Sequence, residues 1–449
     1  MKIELTTSCS LPLLVFLIGK RKGGWGYWKV LPGFLLLSFV GPGSIRAQES
    51  GSFIVQNVYL FDGERFVGER SVLVVDGVIE RVSRRSIKRK GVEVVEGAGR
   101  TLIPGLIDAH THLGEPIEEQ LLQFLTFGVT TVVDMFSEDK VLVRLRELSE
   151  QDSSAYPSIH MSGVGATAPG GHPSQMIEVE FPTIEAPEEA DAFVRARLSE
   201  GSRFIKIVYD DLHVGWPKHT LPMISFETMK ALVDAAHDQG VIAVVHVGSE
   251  EHARKAIEAG ADGLVHMFRG RTEPVGFGRL AADCDVFTIP TLSTLYSFSG
   301  ESSGGNLLED DRLTSFLKPE FRKILGMNVG GPPELLIGTK AGVSQLIEAD
   351  ASVLVGTDSA VPGTAHGLSV HGEMSLLGEL GMTPEQALKA ATSLAADAFK
   401  LHDRGRIARG YRADLVLVEG DPSSDVSKAR EIVAVWKEGV RANRERWEE

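Results

Sequence analysis

The chain has 449 residues, 43% of them apolar, and a formal charge of −15. That length suits a large barrel plus a minor domain better than one small unit. The charge argues against a nucleic-acid partner or a polyanionic substrate. Two cysteines, Cys9 and Cys284, are too few for a disulfide framework.

Residues 1–47 differ from the rest. Lys2, Lys20, Arg21, Lys22, Lys29 and Arg46 oppose only Glu4, so this segment is +5 and the remainder −20. Two apolar runs, "LPLLVFLIG" and "VLPGFLLLSFV", flank "KRKGGWGYWK". Neither reaches the roughly 18–20 residues of a spanning helix. The second run has the order of a signal peptide: basic stretch, short apolar core, small residue at "IRA". Residues 1–47 are therefore expected to be a signal peptide cut after Ala47. The mature chain would be exported to the periplasm or medium, with no stable membrane association; an uncleaved anchor is the alternative. One thiol would remain after cleavage, so no intramolecular disulfide could form.

Residues 48–103 read as short strands. "FIVQNVYLFDG", "RSVLVVDGVIERV" and "VEVVEG" alternate apolar and polar positions, with Asp-Gly turns. Residues 406–449 resume the texture in "RGRIARGYRADLVLVEG" and "EIVAVWKEGVR". The two ends predict one small composite β-sandwich domain with a larger domain inserted in it. In that insert, 104–405, eight apolar β-branched runs recur: "TLIPGLIDAHTHL", "VTTVVDMF", "SIHMSGVGA", "RFIKIVYD", "VIAVVHVG", "GLVHMF", "VFTIPTLS" and "ASVLVGTDS". Amphipathic segments such as "EEADAFVRARLSE", "SFETMKALVDAAHDQG" and "SEEHARKAIEAGA" lie between them. Parallel strands with helical crossovers predict an α/β fold, a (β/α)8 TIM barrel. Ser297 to about Gly331, rich in Gly, Ser and charge, is expected to form a mobile loop.

In such barrels the chemistry stands at the C-terminal strand ends. The first run ends in His110 and His112, the fourth carries Lys206, the fifth ends in His246, the sixth in His266 and the eighth in Asp358. Residues two apart on a strand share a face, so His110 and His112 can hold one ion. Asp108 is expected one layer deeper, behind them. Imidazole and carboxylate donors suit Zn²⁺. An HxH pair alone is a weak signal; with ligands on four further strand ends, it predicts a metal centre. A lysine ammonium cannot bind a cation, so taken by itself Lys206 reads as a buried partner of Asp358 beside a single ion. His172, in the loop "APGGHPSQM", and Tyr209 are expected to contact substrate. His213, after the fourth run, is a weaker candidate. His366 and His371 read as capping or packing residues. His160, His219, His237, His252 and His402 read as surface or packing residues without convergent partners.

With "PGLIDAHTHL", "FIKI", "VVHVGSEEHARKAIEAGADGLVHMF", "VLVGTDS" and "GELGMTPEQALKAATSLAADAFKLHDRGRIARGYRADLVLVEGDP", the chain from about Phe53 to Arg441 resembles the amidohydrolase superfamily. The likeness is to the branch that groups imidazolonepropionase-like proteins with Xaa-Pro dipeptidases. The resemblance implies that His110 and His112 bind the more buried metal, that Lys206 is carboxylated and bridges two Zn²⁺ ions, and that His246 and His266 bind the second. Asp358 would touch metal and shuttle the proton; a single ion is the alternative.

The expected function is metal-dependent hydrolysis of an amide-type C–N bond by metal-activated hydroxide. The substrate would be small: a dipeptide, an N-acyl amino acid or a cyclic amide. A phosphotriesterase or lactonase of the same superfamily is the alternative, because fold does not choose the bond. The filled ligand positions argue against a non-enzymatic relative. Homo-oligomerisation is left open.

Overall fold

The computed structural model describes residues 18–21, 24–27 and 51–447, apart from 151–153, 178, 216–219 and 302–306. The chain divides into two compact units, Met1–Arg46 and Ala47–Glu449. In the first, Ile18–Arg21 pairs antiparallel with Gly24–Tyr27. The rest of the expected signal peptide, Ala47 included, lies outside the described residues, as does His219. No described helix is long and apolar enough to cross a membrane.

The second unit contains a sheet built from both chain ends. Phe53–Phe61, Phe66–Val75, Val78–Ser83, Glu93–Glu96 and Arg100–Pro104 join Leu415–Glu419, Ile432–Lys437 and Val440–Arg441. The seam is the antiparallel pairing of Arg100–Pro104 with Leu415–Glu419. Hydrogen bonding makes this one eight-stranded sheet rather than the two separate sheets of the expected sandwich. It is nonetheless folded over its own apolar face. Phe53 stacks on Trp436 at 5.0 Å although two strands stand between theirs, and Val55, Leu60, Leu102 and Leu417 are buried with them. Register shifts at Val55/Val58 and Leu417/Val418 supply the bending.

The parallel strands are β1 (Leu106–Thr111), β2 (Val129–Asp134), β3 (Ser158–Met161), β4 (Ile205–Tyr209), β5 (Ala243–Val247), β6 (Gly263–Val265) and β7 (Phe287–Ile289). They form a three-stranded and a four-stranded sheet. Isolated parallel bridges join the two: Ala166 to Ile207 on one side, and Thr288 to Val353 and Thr111 to Ser359 on the other. The eighth run therefore lies between β7 and β1 but is not a strand. Its Val355 N–H goes to Ala390 O at 3.3 Å, and Ile107 N–H to Ala391 O at 2.8 Å. The end of helix Pro384–Ala390 thus takes bonds that a ladder between the eighth run and β1 would need.

Helices form where the amphipathic segments place them, at Ala190–Ser199, Phe226–Asp238 and Glu250–Glu258. Ser225 and Ser249 cap the last two, accepting N–H bonds from Thr228 and His252. The segment after β7 differs from the expected loop. It folds as short helices, among them Leu292–Phe298, Asp311–Thr314 and Pro319–Leu325. Leu307, Leu313, Leu317, Phe321 and Leu325 there pack on Phe127 and Leu368. Gly, Ser and charge dominate its composition, but apolar residues spaced three to four apart decide its structure.

Candidate metal centre

Three groups meet at the end of β1. His110 Nε2 and His112 Nε2 are 3.2 Å apart. Asp358 Oδ1 lies 3.2 Å from the first and 3.1 Å from the second. Asp358 reaches them because its N–H donates to His110 O at 2.8 Å and its backbone turns left-handed, with φ 59°. Among the described residues, this is one of two groups of three metal-ligating side chains. Donors bound to one tetrahedral ion at about 2.0–2.2 Å stand roughly 3.3–3.6 Å apart. Two imidazole nitrogens and a carboxylate oxygen at 3.1–3.2 Å therefore fit a shared cation of the Zn²⁺ class.

Asp108 is fully buried, but it bonds to backbone and to Thr357 rather than to an imidazole nitrogen. It accepts the N–H of His110 at 3.2 Å, and the N–H and hydroxyl of Thr357 at 3.1 and 2.6 Å. It holds the backbone that carries Asp358, while His110 Nδ1 is buried without a hydrogen-bond partner. Burial pushes the Asp108 carboxyl up to about 7, against those bonds. At His110, burial and the Lys206 charge lower the imidazole to about 3. His112 goes the other way. Burial opposes its charge, but Asp358 and Asp134 outweigh that and raise its pKa. Burial also opposes the charge on Asp358, yet His110 and His112 hold it well below the usual carboxylate range.

The other expected ligands converge from neighbouring strand ends. The His266 ring lies 4.9 Å from that of His110 and 4.4 Å from that of His246. His266 turns inward through a left-handed backbone, φ 65°, and its Nδ1 meets Thr291 Oγ1 at 2.6 Å. His246 Nε2 faces Asp210 Oδ2 at 3.4 Å. Each ring thus keeps one nitrogen for a cation. Lys206 is buried on β4, and burial lowers its amine to about 7 against the pull of Asp358 and Asp134. His172 also arrives, its ring 4.9 Å from His246 and its Nδ1 2.7 Å from Gln175 Nε2. The Gly-Gly ahead of it serves close packing within the chain: a Cβ at Gly171 would lie 2.6 Å from Thr167 Oγ1 and 2.8 Å from Pro222 O.

Tyr209 is placed differently. Strand alternation puts it with Ile205 and Ile207 in the core beneath the helices, its ring 5.2 Å from His252. The residue that shares Lys206's face is Asp210, which sequence reasoning passed over. Its carboxylate sits against Gly248, where a Cβ would lie 2.2 Å from Oδ2. The pairing of "YD" after "FIKIV" with a glycine two residues past His246 was the available signal. His252, read as a packing residue, lies 3.5 Å from Asp210 Oδ1 through its Nδ1. Glu373 was also missed. It is fully buried and accepts the N–H groups of Leu292 and Ser293 at 2.7 and 2.8 Å, fixing the turn at Thr291. His366 and His371 support backbone, as expected, at His112 O and Phe127 O. A cavity of about 340 Å³ bounded by Val214, Ser249, Glu250, Arg269 and Leu335 lies beside the loops, and none of the expected ligands lines it.

An imidazolonepropionase of Deinococcus deserti is 26% identical over 405 residues, which cover 83% of this chain and 92% of that protein. Among solved structures, a Xaa-Pro dipeptidase with bound methionine in the active site superposes with TM-score 0.70 at 22% identity, covering 87% of this chain and 99% of that one. Phenylurea hydrolase B gives 0.68 at 22%, covering 88% and 97%. At such identity the structures speak to the fold, an α/β TIM-barrel-like domain with a sheet domain. The model of the amidohydrolase family matches residues 101–442. With its histidines and Asp358 gathered at the strand ends, the chain belongs to that family of metal-dependent hydrolases.

Proposed function

We propose that this protein hydrolyses an amide-type C–N bond in a small molecule, namely a dipeptide, an N-acyl amino acid or a cyclic amide. The observation that carries the reading is the convergence of His110 Nε2, His112 Nε2 and Asp358 Oδ1 within 3.2 Å. The names of its relatives, an imidazolonepropionase and a Xaa-Pro dipeptidase, support the cyclic amide and the dipeptide. The scaffold in this reading is a (β/α)8 barrel, residues 104–405, inserted in a β domain formed by 48–103 and 406–449. The bridges at Thr111, Ala166 and Thr288 support its closure.

His110, His112 and Asp358 would hold one Zn²⁺, and His246 and His266 a second, with Lys206 carboxylated on Nζ between them. Lys206 suits that modification. Only a neutral amine adds CO₂, and burial brings this one to about 7. A divalent ion held by these residues would supply Lewis-acid polarisation of the scissile carbonyl and a water acidic enough to react near neutral pH. Asp358, kept ionised by His110 and His112, accepts the proton of the attacking water and returns it to the leaving nitrogen. His172 stays neutral at pH 7 because burial lowers it to about 3; it meets the substrate as a hydrogen-bonding group rather than a cation. Export after cleavage at Ala47 belongs to the same proposal, supported by the order of basic stretch, short apolar core and small residue in that segment.

The test is a screen of purified, Zn²⁺-loaded protein against dipeptides, N-acyl amino acids, cyclic amides, lactones and phosphotriesters. Turnover confined to lactones or phosphotriesters overturns the choice of bond. Turnover of none overturns the hydrolytic reading.

A further inference from the structure

A second group of metal-ligating side chains stands at the ends of β4 and β5, outside the centre described above. Asp211, His213 and His252 each offer a donor atom, all within 4.8 Å of one another. Asp211 and His213 belong to the loop after β4. Asp211 Oδ1 accepts the His213 N–H at 3.1 Å and faces His213 Nδ1 at 2.5 Å. His252 belongs to the first turn of helix Glu250–Glu258, which its own N–H ties to the capping Ser249 hydroxyl at 3.1 Å. The His213 and His252 rings meet edge-on, with centroids 5.5 Å apart.

The buried histidine is the informative member. His252 is 5% exposed, and its Nδ1 makes no hydrogen bond. That nitrogen lies 3.5 Å from Asp210 Oδ1, while the other oxygen of the same carboxylate lies 3.4 Å from His246 Nε2. One buried carboxylate thus stands behind two imidazoles. Carboxylate behind imidazole, imidazole towards cation, is how metal-binding histidines are oriented. His246 and His252 share this one carboxylate, and the His252 ring lies beside that of His213. Gly248 makes the shared carboxylate possible, since any side chain there would enter the space of Asp210.

We propose that Asp211, His213 and His252 form an outer metal site that takes a divalent cation of the Zn²⁺ class, separate from the centre on His110, His112 and Asp358. Two imidazoles and one carboxylate are a three-ligand Zn²⁺ set that leaves remaining positions to water. His213, with 45% of its side chain exposed, gives the ion its path from solvent. The competing account is a surface Asp211–His213 pair beside a His252 that merely packs on Tyr209.

Zn²⁺ titration of the full chain against a chromophoric chelator decides between them. The parent should bind one more Zn²⁺ than His213→Ala, and in both His213→Ala and Asp211→Asn the affinity of that ion should fall by more than about 100-fold, beyond the usual effect of losing a supporting group. Neither substitution touches the core, so misfolding does not cloud the comparison. His110→Ala/His112→Ala serves as the control. It should lose central Zn²⁺ and keep the outer ion, so failure of the proposed catalytic centre and failure of this site give different titrations. Equal number and affinity of ions in parent, His213→Ala and Asp211→Asn overturn the site.

Discussion

Replacing Asp358 with Asn isolates the step on which the proposed chemistry turns. Asp358 Oδ1 lies 3.1–3.2 Å from both imidazole nitrogens, and its backbone is left-handed at φ 59°. Asparagine is nearly isosteric, tolerates that conformation, and keeps an oxygen at the same place. The fold and His110, His112, His246 and His266 remain, so at least one ion should stay bound. Loss of this charged donor should weaken the ion it touches by more than the roughly 10–100-fold that removal of an outer supporting group costs, so the variant is loaded with metal in excess. Turnover should fall even so. An amide oxygen can neither take a proton from water nor return it to a leaving nitrogen, and loss of a positioned acid–base removes about 10²–10⁴ in rate, equivalent to about 3–5 kcal/mol of barrier. Parent and variant should be loaded to equal metal content by elemental analysis, and kcat then measured on the substrate found by screening. The parent rate should fall on the acid side, where Asp358 and the attacking water gain protons as a coupled pair; the residual rate of Asp358→Asn should not follow that limb. Near-parental kcat in a fully loaded Asp358→Asn refutes the assignment and moves the proton to another group, His172 or His266 first.

Four other outcomes are open to measurement. Elemental analysis of parent chain prepared with Zn²⁺ and bicarbonate should give about two ions at the centre beyond any held by His213, and Lys206→Met should give one fewer; a parent centre that stays at one ion excludes the bridging carbamate. Gly248→Ala puts a Cβ 2.2 Å from Asp210 Oδ2, so the carboxylate must leave His246, and Zn²⁺ affinity should drop about 10–100-fold; unchanged affinity means Asp210 supports nothing. Glu373 is raised from 4.5 to about 7, by burial first and the Asp108 charge last; its contribution to stability is fully present below 4.5 and is lost as pH rises through about 7, on the order of 3 kcal/mol in all, so Glu373→Gln should flatten the pH dependence of urea unfolding across that window. The exported chain should begin near Gln48 by N-terminal sequencing; recovery of the full-length chain from the cytosol counts against cleavage.

The candidate ligands were legible in the sequence because they sit where a simple rule puts them, at the ends of β-branched runs. His110, His112, His246, His266 and Asp358 needed only strand count and alternation. The same alternation separates Tyr209 from Lys206, three residues earlier, and points to Asp210; adjacency in sequence is a poor guide to face on a strand. Asp210, His252 and Glu373 were hidden for another reason. Each acts across the fold, on residues 36 to 81 positions away, and nothing local marks a carboxylate that will be buried. The eighth run looked like a strand because Val353, Leu354 and Val355 are buried and apolar, but a helix end takes part of its hydrogen bonding. That competition is tertiary and leaves no trace in periodicity.

The site also shows why these distant carboxylates are present. His266 and Thr291 stand just past β6 and β7, and Asp358 at the end of the eighth run, with φ of 65°, 50° and 59°, conformations that cost about 1–3 kcal/mol each outside glycine. Each needs something to hold it. Glu373 grips the N–H groups of Leu292 and Ser293, just past Thr291, and Thr291 in turn meets His266 Nδ1. Asp108 grips the N–H and hydroxyl of Thr357, just before Asp358. Both carboxyls are fully buried and pushed to about 7, so each is itself unfavourable in ionised form. An apolar side chain of similar size at either position would relieve that cost but release the turn that aims a candidate ligand. Asp358 is thus secured through Asp108, and His266 through Glu373 by way of Thr291, while Asp210 faces His246.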